Sequence, residues 1–158
     1  MCYFVAISGV SSFEAFRAHG FDVSAPGTPD IDLALGPHWS FVTRGGCSCD
    51  FYTNQDPSAR LEQDRQRLAR KGWSSAKIER ALKSRMSEEN PVLTNFLASL
   101  SEIAESSSSI RLLCHCFSGS VESERFEVQG EIRMSLSELR GASGHFPTDT
   151  VVQLQLAP

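Results

Sequence analysis

Hydrophobic and polar positions along the chain fall into two periods, one near two residues and one near 3.6. Residues 2–8, Cys-Tyr-Phe-Val-Ala-Ile-Ser, are aromatic and β-branched with apolar groups on both alternating faces, which predicts a central strand ended by Gly9. Ser11 and Glu14 have capping-box spacing, and Phe13 and Phe16 share a helical face. A short helix over 12–19 closed by Gly20 follows from that. Residues 24–38 hold three prolines and two glycines and predict a loop, with one helical turn near 31–35. Trp39–Thr43 reads as a strand, interrupted at Gly45-Gly46 by a turn or bulge and continued in extended form over Cys47–Tyr52.

The period then changes. Pro57 after Asp56 starts a helix to about Lys71, closed by Gly72. Ser74 or Ser75 caps a second to about Met86, and Asn90-Pro91 starts a third. In the third, Leu93, Phe96, Leu97, Leu100, Ile103 and Ala104 form a broad apolar stripe. The serines at 106–109 link it to a strand at 110–117. Phe126, Val128, Ile132, Met134 and Leu136 alternate with polar residues as a half-buried strand does, and 152–156 repeats the pattern. Strands, three helices, then strands predict an α+β fold rather than a regular βαβ one. The expected architecture is a single domain spanning 1–158. It has a mostly antiparallel sheet with three consecutive helices inserted over about 57–105 and packed on it, the third directly.

Composition narrows the class. A chain of 158 residues has the size of one domain, and 41% hydrophobic with 22% charged residues excludes general disorder. A net charge of −4 argues against a wholly basic nucleic-acid binder. No apolar run reaches the roughly 18 residues of a membrane helix. Met1-Cys2-Tyr3-Phe4 carries no basic stretch of the secretory type, so a cytoplasmic location is expected.

Five cysteines are too few and too odd in number for a disulfide scaffold. Four are spaced as two Cys-x-Cys pairs, Cys47/Cys49 and Cys114/Cys116, with Cys2 apart. On strands, residues i and i+2 share a face, so each pair would point one way. If the two strands are neighbours, Cys47, Cys49, Cys114 and Cys116 converge, and zinc is the cofactor four thiolates would take. Packing weighs against this, because a free cysteine is a small hydrophobe at home in a core, where it would be inert to alkylation. Catalysis by Cys49 or Cys47 is a third reading. It needs a lowered thiol pKa and a base, for which His38, His115 and His145 are the candidates. No catalytic set can be assigned.

Charge is segregated. Residues 60–85 hold nine basic and three acidic groups, a segment of +6 that leaves −10 elsewhere. Its first helix has only Leu61 and Leu68 as large apolar residues, so Arg65, Arg67, Arg70 and Lys71 face water or a partner. An acidic protein is the expected partner; nucleic acid, with Trp73 for stacking, is the second. Glu62–Arg65, Asp64–Arg67 and Glu79–Lys83 have the spacing of local ion pairs. The function these features fit is a small binding or regulatory protein, immunity-type in profile. The alternative is the cysteine-dependent enzyme.

Overall fold

The computed structural model describes residues 2–24, 38–52, 57–86, 90–107, 109–118 and 127–155. The expected loop turn at 31–35, Asp56 and Phe126 lie outside them. The elements are β1 (Cys2–Ser8), α1 (Glu14–Ala18), β2 (Asp22–Ser24), β3 (Ser40–Thr43), α2 (Pro57–Arg70), α3 (Ser75–Met86) and α4 (Pro91–Ala104). They continue with β4 (Ile110–Phe117), β5 (Gly130–Ser135), α5 (Leu136–Gly141) and β6 (Thr150–Gln155). The class is α+β, as expected.

One six-stranded sheet runs in the order β2-β3-β1-β4-β6-β5. Four neighbouring pairs are antiparallel, and only β5 and β6 run parallel. A parallel pair needs a crossover, and α5 supplies it. Its start is fixed by a capping box: Ser135 Oγ accepts from the Glu138 N–H, and Glu138 Oε2 accepts from the Ser135 N–H at 2.7 Å. The alternation extending to Leu136 therefore stops one residue early, and Leu136 opens a helix.

Alternation along β1 and β4 sorts side chains between two faces. Val5, Ile7, Leu112 and Cys114 lie in the main core with Phe16 of α1, Phe96, Leu97 and Leu100 of α4 and Leu139 of α5. Ala6, Leu113 and Phe117 lie on the other face with Trp39 and Phe41, beside Phe4. α4 is the helix placed against the sheet, through the stripe its sequence shows. Asn90 caps it, accepting from the N–H groups of Val92 and Leu93, with Pro91 at the first helical position. The first two inserted helices pack differently. Leu68, Ile78 and Leu82, flanked by Leu61, Trp73 and Ala81, form a cluster of their own between α2 and α3.

α1 is shorter than expected. Phe13, not Ser11, occupies its N-cap, without a side-chain cap bond.

Candidate functional site

The sulfur site starts with a tight reversal. β3 ends at Thr43; Arg44 and Cys47 form a bridge, with the Arg44 N–H donating to the Cys47 carbonyl at 2.8 Å. Gly45 and Gly46 between them have φ of 60° and 94°. A two-residue turn with positive φ at both positions suits two glycines, because a Cβ is strained there. After the reversal, 48–52 coils into a turn, with the Phe51 and Tyr52 N–H groups donating to the Ser48 carbonyl. The expected strand at 47–52 is thus not one; its apolar residues Phe51 and Tyr52 are buried from a turn.

Ser48 splices this turn into the sheet. It is wholly buried. Its N–H donates to the Tyr3 carbonyl, its Oγ accepts from the Val5 N–H at 2.9 Å and donates to the Val42 carbonyl at 2.7 Å. The side chain completes main-chain bonding between β1 and β3 where the strands part. The two cysteines beside it are left at the surface side of the splice.

Cys2, Cys47 and Cys49 meet here, their sulfurs all within 4.8 Å of one another. Cys2 and Cys49 are exposed and Cys47 half-buried. Cys49 Sγ accepts from the Tyr3 N–H at 3.3 Å. The Cys49 N–H favours the Cys47 thiolate, but partial burial and the thiol and charge of Cys49 outweigh that and push the Cys47 thiol up. One of the three sulfurs, Cys49 Sγ, therefore already takes a backbone N–H, the outer support that holds thiolate ligands in place.

The trio differs from the expected set of Cys47, Cys49, Cys114 and Cys116. Cys2 joins it, and Cys114 and Cys116 lie outside it. Pairing explains this: Val5 faces Cys114 and Tyr3 faces Cys116 across β1 and β4, so both β4 cysteines point to the helix-covered face. Cys114 is wholly buried there, and burial pushes its thiol well up. The Tyr3 hydroxyl is raised by burial and by its hydrogen bond to Cys116. Tyr52, raised by burial, donates to the Phe146 carbonyl at 2.6 Å. Cys2 could have been found in the sequence only by knowing that 47–49 returns to the start of β1. Exposure of Cys49 removes it from the core cysteines expected to be inert.

Of the candidate bases, His38 is exposed, with φ of 85°. His115 is held by Asp149, Nδ1 to Oδ1, at 2.5 Å. Among the described residues no histidine nitrogen joins the sulfur trio.

The basic segment is distributed along α2 and α3. Arg65 bridges Glu62 at 3.4 Å and Glu79 at 2.8 Å, and Arg67 pairs with Asp64 at 3.0 Å. Arg70 and Lys71 are exposed at the end of α2, with no acidic partner among the described residues. Trp73 carries the Lys77 ammonium 4.0 Å above its ring. Among the described residues no helix is long and apolar enough to cross a membrane. Compared with known proteins, the chain matches no family model, no curated protein and no solved structure.

Proposed function

We propose that the chain is a small soft-metal-binding protein of a reducing, cytoplasmic compartment, with Cys2, Cys47 and Cys49 as the protein ligands and zinc as the ion. The observation that carries this is the convergence of three sulfurs from two distant segments. Tetrahedral zinc–thiolate bonds of about 2.3 Å put sulfurs roughly 3.8 Å apart, so a spread within 4.8 Å needs only rotamer-scale closure. The N–H···S bond from Tyr3 to Cys49 and the Ser48 splice hold the loop for that closure. Three thiolates leave one position of the tetrahedron to a ligand from outside the trio.

The test is metal stoichiometry of the purified, reduced protein, with cobalt substitution to count thiolates by their sulfur-to-metal absorption. One ion per chain is expected. Replacing Cys2, Cys47 or Cys49 by serine should weaken zinc by tenfold or more, about 1.4 kcal/mol. Cys116→Ser should leave stoichiometry and affinity unchanged. Retention of full affinity by Cys2→Ser, or no metal on the parent chain, refutes the reading.

One observation favours a second reading, a cysteine nucleophile. His115 and Cys2 lie on the same face of β4 and β1, diagonally offset, and Asp149 orients the imidazole. That reading moves the nucleophile from Cys49 or Cys47 to Cys2. It requires Cys2 to alkylate faster than Cys49 at pH 7, and His115→Asn to abolish the difference.

A further inference from the structure

The hairpin of α2 and α3 carries an observation independent of the sulfurs. Its apolar side chains close on each other and leave a groove of about 440 Å³ between the helices, lined by Leu61, Arg65, Glu79, Arg80, Leu82 and Lys83. The lining has an apolar part, the two leucines, and a charged part. Arg65 and Glu79 neutralise each other at 2.8 Å. Arg80 and Lys83, one helical turn apart, have no carboxylate partner among the described residues. The groove thus presents two unneutralised cations beside an apolar floor, within a segment of +6.

We infer that this groove docks an acidic amphipathic helix of a partner protein. An apolar side chain of such a helix would cover half-buried Leu61 beside the buried Leu82, and carboxylates a turn away would meet Arg80 and Lys83. Charge complementarity points to an acid, and the leucines distinguish a peptide from a phosphate backbone, which gains nothing from an apolar floor. Stacking is closed to a nucleic acid at Trp73, whose ring is half-buried in the hairpin cluster and covered by Lys77. The contact residues therefore shift from Arg65, Arg67, Arg70 and Lys71 to Arg80 and Lys83, with Arg65 as a positioning group on Glu79.

The test uses the full chain and three labelled probes in fluorescence anisotropy. These are a designed leucine–glutamate amphipathic helix, a scrambled peptide of the same composition, and a DNA duplex. The amphipathic helix should bind at least tenfold tighter than the scramble, a difference of about 1.4 kcal/mol. Raising salt from about 50 to 300 mM should weaken it severalfold, because the Debye length shrinks. Arg80→Glu with Lys83→Glu should abolish binding while circular dichroism stays unchanged, and Arg70→Glu with Lys71→Glu should lower affinity by less than threefold. Equal binding of helix and scramble, no binding of the helix, or tighter binding of the duplex overturns the inference. So does a salt-sensitive dimer of the free chain that the Arg80/Lys83 variant dissolves, since the occupant is then a second copy.

Discussion

Ser48→Ala removes two hydrogen bonds at one buried point. The hydroxyl accepts from Val5 N–H and donates to the Val42 carbonyl, and the residue has 0% exposure. Alanine keeps the turn's backbone but leaves a donor and an acceptor of the sheet unpaired. Each lost bond contributes roughly 0.5–1.5 kcal/mol net, and an orphaned buried group costs about 1–3 kcal/mol, so the total is on the order of 2–4 kcal/mol. The paired control is Ser8→Ala. Ser8 is 1% exposed, and its Oγ has no partner among the described residues. Losing that hydroxyl should be neutral or stabilising by up to about 1 kcal/mol. Urea unfolding reads both. With a slope near 2 kcal/mol/M, Ser48→Ala should lower the midpoint by about 1–2 M, and Ser8→Ala should leave it level or raise it. A Ser48→Ala shift below about 0.3 M, or a larger loss for Ser8→Ala, refutes the splice as described.

Ser135→Ala removes the cap of α5 and should cost about 1 kcal/mol in the same assay; no change would mean the box adds nothing. Buried Cys114 and Tyr52 keep their protons in the folded chain above the ordinary values of 9.0 and 10.0. The unfolded chain releases them there, so stability is full below about pH 9 and falls as pH rises beyond it. Cys114→Ala should flatten the fall between about pH 9 and 10, and a midpoint that is level across that range in the parent chain contradicts the assignment. Arg70→Glu with Lys71→Glu should shift the melting temperature by less than about 2 °C, because exposed charges contribute little; unfolding would make them internal supports.

Much of the fold was legible because its elements obey simple periods. The six apolar residues of β1, the stripe of α4 and the Asn90-Pro91 start each carry their own signal. The capping-box spacing at Ser135–Glu138 was present in the sequence too, but the alternation of 126–136 ran across it and won. Ser11–Glu14 shows the reverse, a correct spacing that the structure does not use, because Phe13 takes the cap position and turns toward Phe16. The sulfur trio was half legible. Cys47 and Cys49 stood out by spacing, whereas Cys2 depended on a return of the chain that only the Gly45-Gly46 reversal and the Ser48 splice produce. Reading 47–52 as a strand followed from Phe51 and Tyr52, which are apolar because the turn buries them.

The place of β1 in the sheet bears on how the chain is made. Its two neighbours are β3, completed at Thr43, and β4, completed at Phe117. During synthesis one edge of β1 therefore pairs early, while the other stays open until β4 leaves the ribosome, a wait on the order of 4–15 s at ordinary elongation rates. An open edge flanked by Val5 and Ile7 is a template for unwanted pairing over that interval. All three sulfurs, and the Ser48 splice that presents them, come from the early half. An ion taken up by the nascent chain would fasten β1 to the 47–49 turn before the remaining sheet exists.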